Sequence, residues 1–227
     1  MEFFLKEVIL VIFLHNLVIR FSDADSEYDY ITCGSTMKLK NNKFDVRLHS
    51  HDVRYGSASG QQSVTGVSGA DDHNSYWQIK NKTGAPCDRG LPIKCNDVVR
   101  LFHLTTKKNL HSHLFAAPLS GNSQEVSCFG EDGLGDEGDH WMVVCQGSSE
   151  YWRRSSGVKF RHLATSSYLQ ISGERYQRPI AGQYEVVATP AATDKALWTA
   201  NEGIYISRNS PMMRSEGQKE KAKHDEL

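Results

Sequence analysis

The chain has 227 residues, 26 Lys and Arg against 27 Asp and Glu, and 39% hydrophobic residues. Near-neutral charge offers no global field for nucleic acid or anionic lipid, and neither is expected as a partner. The length allows a sizeable core in one domain or two.

Residues Val8 to Ile19, VILVIFLHNLVI, form a mostly apolar run after Lys6. The run matches a signal-peptide core and falls short of the roughly 20 residues a membrane span needs. Ser22 and Ala24 place small residues before a cleavage point, so residues 1–24 are read as a signal peptide. Its removal takes away Lys6 and Arg20 against Glu2, Glu7 and Asp23, leaving 24 basic and 24 acidic residues. No later stretch approaches membrane-spanning length, so a soluble lumenal chain without membrane insertion is expected.

An internal repeat follows. Met37-Lys38-Leu39, Val99-Arg100-Leu101 and Val158-Lys159-Phe160 share an apolar-basic-apolar pattern, and nine residues after each third position stand Leu48, Leu110 and Leu169. Leu48-His49-Ser50-His51 recurs as Leu110-His111-Ser112-His113, and the third copy reads Leu169-Gln170-Ile171-Ser172. Val64, Val126 and Val186 follow, and each unit ends on a tryptophan: Trp77, Trp141 and Trp198. A period near 60 residues, carried three times, marks a repeat architecture. Each unit offers about four short strands separated by Gly, Ser and Asn. Three units are too few for a propeller, so the expected fold is all-β, a β-trefoil with pseudo-threefold symmetry. Its repeats cover about residues 28–86, 87–150 and 151–209 within a domain spanning 25–209.

Five cysteines in an oxidising compartment favour disulfides. Cys33, Cys87, Cys95 and Cys145 are the candidates, with Cys87 and Cys95 close enough for a local bridge; Cys128, in CFGEDG, is expected in a loop as the odd thiol.

Strand alternation sets Leu48 and Leu110 against His49, His51, His111 and His113, so inward leucines turn the histidines outward. They could then line a groove that grips peptide backbone or sugar hydroxyls, helped by Arg47, Arg54 and Tyr55. A polar hairpin whose turn chemistry suits the fold is the competing reading. A zinc site needs three or four ligands, and no Cys, Asp or Glu at suitable spacing accompanies either pair, so no metal is expected. The repeated tryptophans read as core; Trp152, outside their register and beside Arg153 and Arg154, is the candidate binding aromatic. The acidic run Glu131 to Asp139 fails the EF-hand spacing and reads as a solvated loop. Asn81-Lys82-Thr83 is a glycosylation sequon. No G-x-S-x-G, H-E-x-x-H, Walker or Rossmann pattern occurs, so no catalytic residue, cofactor or enzyme activity is expected.

From Ser210 the chain is polar and is read as a disordered tether, residues 210–227. It ends in His224-Asp225-Glu226-Leu227, an HDEL signal for retrieval to the endoplasmic reticulum by its receptor.

The segments VRLHSHDVRYGSASGQQSVTG (Val46 to Gly66) and NLHSHLFAAPLSGNSQEVS (Asn109 to Ser127), with the two chain ends, resemble the stromal cell-derived factor 2 family of three-MIR-motif proteins. The resemblance implies a β-trefoil without catalytic activity. It implies association with an ER J-domain co-chaperone and the Hsp70 chaperone BiP, assisting folding and limiting aggregation of unfolded clients. A lectin-like module binding mannose-type glycans is the alternative, since trefoils often bind sugars.

Overall fold

The computed structural model describes residues 29–207 and is all-β: twelve strands with three short 3-10 turns. The expected signal peptide and the HDEL tail lie outside the described residues. The first unit holds β1 (Thr36–Asn41), β2 (Val46–Arg54), β3 (Gln62–Val67) and β4 (Tyr76–Asn81). The second holds β5 (Val98–His103), β6 (Lys108–Ala116), β7 (Gln124–Phe129) and β8 (Trp141–Cys145). The third holds β9 (Val158–His162), β10 (Tyr168–Arg175), β11 (Tyr184–Thr189) and β12 (Trp198–Ile204). Among the described residues no helix is long and apolar enough to cross a membrane.

Strands β1, β4, β5, β8, β9 and β12 pair antiparallel in that order, and β12 pairs back to β1, closing a six-stranded ring. Closure removes the open edges a flat sheet would present. The hairpins β2–β3, β6–β7 and β10–β11 extend from it, and their second strands pair among themselves as β3–β7, β7–β11 and β11–β3.

Local sequence sets this geometry three times over. The turn from first to second strand needs one left-handed residue, supplied by Asp45, Lys107 and Ser166 at φ of 54°, 60° and 58°. Their amides bond back to the carbonyls of Asn41, His103 and His162 at 3.0, 3.0 and 2.9 Å. Each hairpin then breaks register after Ser50, Ser112 or Ile171. Such a bulge frees the next residues from ladder pairing and re-aims their side chains.

The core repeats with the sequence. Leu39, Leu101 and Phe160, then Leu48, Leu110 and Leu169, and the three register tryptophans are all fully buried. Each indole Nε1 donates to the carbonyl of its own unit's leucine: Trp77 to Leu48 at 2.8 Å, Trp141 to Leu110 at 3.0 Å, Trp198 to Leu169 at 2.9 Å. Burial of each such side chain contributes about 1.5–3 kcal/mol, and the donor is satisfied as it is buried. The next register position holds only small residues, Gly66, Cys128 and Ala188. A Cβ on Gly66 would stand 2.9 Å from Val46 Cγ2, so the space there is already filled.

That position corrects the expectation for Cys128. It is the free cysteine, but it lies inside β7, buried, where it serves as a small core side chain. Burial pushes its thiol up to about 12.

A second correction concerns the disulfides. Cys87 bonds to Cys33 and Cys95 to Cys145; no local Cys87–Cys95 bridge forms. Cys33 and Cys95 occupy the same repeat position, four residues before Met37 and Val99. Each bridge therefore ties the segment before a unit's first strand to the chain at or just past the same unit's fourth strand. In the third unit the equivalent position is Arg154, whose guanidinium lies 3.6 Å over the Tyr205 ring. A cation on an aromatic face closes the unit where the others use sulfur.

Non-reducing peptide mapping is expected to yield Cys33–Cys87 and Cys95–Cys145 links, with Cys128 alkylated only after denaturation. Replacing Cys33 and Cys87 by alanine should destabilise the protein by about 2–5 kcal/mol, read by chemical denaturation.

Candidate functional site

The two Leu-His-Ser-His segments sit on separate hairpins, and the structure does not bring the four histidines into one site. Two related clusters result.

In the first, the face opposite Leu48 is covered by the 3-10 turn His73–Ser75, so His49 is buried and not turned out to solvent as expected. Its Nδ1 lies 2.7 Å from Asp72 Oδ2, and its Nε2 lies 2.6 Å from Nδ1 of half-buried His51. Burial raises the Asp72 carboxyl, but hydrogen bonds from Ser75 and His49 outweigh it and hold the group below its ordinary value. Burial, then the neighbouring His49, depresses His51.

The second cluster uses the turn Glu137–Asp139. His111 is buried with Nδ1 at 2.9 Å from Asp139 Oδ1 and 3.6 Å from Asp136 Oδ1. Asp139 is fully buried, and its other oxygen accepts from Asn109 at 2.9 Å. The acidic run is therefore not wholly a solvated loop: its last carboxylate is a core acceptor. The ligand atoms of His111, Asp136 and Asp139 lie within 4.8 Å of one another, a grouping that sequence spacing did not reveal. Gly138 makes it sterically feasible, because a Cβ there would stand 2.2 Å from His111 Cε1. His113 turns to Glu125 at 2.9 Å, and that buried carboxylate also accepts from Ser59 on the neighbouring hairpin.

The remaining candidates separate. Arg47 is buried, donates to the Ser68 carbonyl at 3.1 Å and reaches Glu202 at 4.0 Å. Tyr55 is buried, its hydroxyl 3.0 Å from the carbonyls of Val64 and Val126, where the hairpins meet. Both are structural where a ligand contact was expected. Arg54 alone stays exposed, in a cleft of about 510 Å³ with Gln61 and Lys108. Trp152 is fully buried against Phe160 at 5.5 Å between ring centroids, so no face is left to bind a ligand. Asn81, at the end of β4, donates its amide to the Pro86 carbonyl at 2.7 Å.

The MIR domain family matches residues 44–200. A mouse (Mus musculus) protein, stromal cell-derived factor 2, is 54% identical over 82% of this chain and 86% of its own. The chain belongs to the stromal cell-derived factor 2 family. Among solved structures, the SDF2-like protein from Arabidopsis thaliana is 46% identical, with a TM-score of 0.77 over 80% of this chain and 99% of its own. A Caenorhabditis elegans protein described as of unknown function is 52% identical, with a TM-score of 0.75 over 79% of this chain and 99% of its own. The relatives are named as factors and not for any reaction, and the two disulfides fit a secretory-pathway lumenal protein of this family.

In this family member, histidines that sequence reasoning passed over form the joints between units. His103 Nε2 donates to the Asn74 carbonyl and His162 Nε2 to the Gly138 carbonyl, both at 2.9 Å, while Asn41 Nδ2 donates to Lys195 at 2.7 Å. All three stand two residues past the apolar-basic-apolar triplet and reach the residue three before a register tryptophan. The same spacing that locates the leucines would have found them. The hydroxyls of Thr106 and Thr165 lie 2.8 Å from the opposite nitrogens. Burial pushes His103 down to about 4 and depresses His162 in the same sense.

A depressed histidine binds its proton in the unfolded chain first, at an ordinary value of 6.5. Its neutral joint is intact above pH 6.5 and destabilises the fold as pH falls from 6.5 toward 4, by about 2 kcal/mol at pH 5. His103→Asn, which copies Asn41, should flatten the fall in melting temperature between pH 7 and pH 5 measured by thermal denaturation.

Proposed function

We propose that this protein is a β-trefoil of three MIR repeats acting in the endoplasmic reticulum lumen as a non-enzymatic co-chaperone adaptor. It works with a J-domain protein and BiP on unfolded clients. The observation that carries this reading is family membership across most of the chain, 82% of it aligned with stromal cell-derived factor 2 at 54% identity. Two features support it. The sequence ends in HDEL, read by the retrieval receptor. The buried polar groups of the histidine clusters are spent on holding hairpins to turns, an arrangement suited to a rigid binding module.

Native co-purification from ER lysate, before and after enzymatic deglycosylation, tests this reading. A J-domain protein and BiP should remain bound after the sugars are removed. Capture of glycoproteins alone, lost with their glycans, would replace the adaptor with a lectin. Deleting Leu227 should send the protein into the medium with its melting temperature unchanged; full retention of that variant in cells lacking the J-domain partner would refute the retrieval role.

A further inference from the structure

The repeat builds one cleft three times, between a hairpin bulge, its own unit's 3-10 turn and the first-strand turn of the next unit. In the third copy the chain fills that cleft itself. Lys43 pairs with Asp194 at 2.9 Å, and Phe44 packs on Tyr184 at 5.3 Å between ring centroids. Phe44 lies over Gly173, its Cζ 3.8 Å from where a Cβ would stand, and Lys195 Nζ is 6.0 Å from the ring. A basic residue followed by an aromatic one is thus the occupant this cleft accepts.

The second copy keeps the acidic residue and lacks the plug, with Gln124 standing where Tyr184 backs Phe44. Glu137 stands four residues before Trp141, as Asp194 does before Trp198, and Ala164-Thr165 replaces Lys43-Phe44. Gly138 replaces Lys195, removing a second large side chain. Among the described residues no lysine or arginine pairs with Glu137. Leu114 takes the place of Gly173 and is 80% exposed, with Phe115 beside it 54% exposed. What remains is an open cleft of about 620 Å³ that includes Leu114, Ala164, Thr165, Asp136 and Glu137. The first copy differs on both counts, with His73 at the acidic position and Asp52 at the apolar one.

We infer that the second cleft binds an extended segment of another polypeptide, a basic residue on Glu137 and a following aromatic side chain against Leu114. The acidic wall supplies charge complementarity, and an exposed leucine beside an exposed phenylalanine is the kind of apolar surface that marks an interaction site. The aromatic provides most of the contact, because an exposed ion pair contributes little by itself. The occupant is defined by the chain's own Lys43-Phe44 contact, so this inference goes beyond the chaperone reading and does not depend on it.

Fluorescence anisotropy with a short labelled peptide, Gly-Ser-rich around a single Lys-Phe pair, tests it on the purified protein. Binding is expected with a Kd on the order of 100 µM, and peptides carrying Lys-Ala or Ala-Phe should bind at least about tenfold more weakly. Glu137→Lys should weaken the Lys-Phe peptide by a similar factor and improve binding of an Asp-Phe peptide. Installing the plug, Ala164→Lys with Thr165→Phe, should block the peptide in cis, and the exposed substitution Leu114→Asp should do the same without touching the core. If the plugged and Leu114→Asp proteins both bind the Lys-Phe peptide as the parent does, the inference is wrong. Co-purification of a J-domain protein with the plugged variant is scored separately, so failure of one reading is not failure of the other.

Discussion

Everything in this fold hangs on a donor that burial would otherwise orphan. Each unit sinks an indole into the centre, and an indole N–H without a partner there would cost roughly 1–3 kcal/mol. The unit resolves this by turning its hairpin so that one leucine carbonyl meets the indole, at 2.8–3.0 Å in all three copies. That single bond sets the height of the hairpin relative to the closing strand. With hairpin height equal three times over, the inner strands β3, β7 and β11 reach one another and pair. Where these strands pair, glycine, cysteine and alanine stand opposite Tyr184, Gln62 and Gln124.

A second layer of polar bonds joins the units. Asn41, His103 and His162 each reach back to a turn of the preceding unit, and buried Glu125 and Glu185 hold the tips of neighbouring hairpins through Ser59 and through the amides of Leu119 and Ser120. Apolar packing makes the units compact, but these directional contacts decide how one unit is rotated against the next. Histidines at such joints are structural donors, not spare bases.

Sequence spacing revealed what local periodicity encodes: the strand count, the inward leucines and the buried tryptophans. It failed where the deciding neighbour lies far along the chain. Alternation predicted that His49 and His111 leave the core face, which they do, but not that a turn some 25 residues on covers them. Trp152 stood outside the repeat and so drew a binding role, yet Phe160 and the ring enclose it. Cys87 is near Cys95 in sequence, while Cys33 is brought beside it only when β1 pairs with β4. The open second cleft was invisible for the same reason, since its walls come from three segments of two units.

The position of Cys128 bears on how the chain acquires its bridges during vectorial synthesis. The two loops, 33–87 and 95–145, are consecutive and do not overlap, so each can close as its own unit emerges into an oxidising lumen. Cys128, the unbonded thiol, lies between Cys95 and Cys145 in sequence, inside the second loop. Its strand pairs with the first unit's hairpin, Gln62 opposite Cys128. Pairing between the first and second units is therefore what puts the unbonded thiol out of reach in the folded protein.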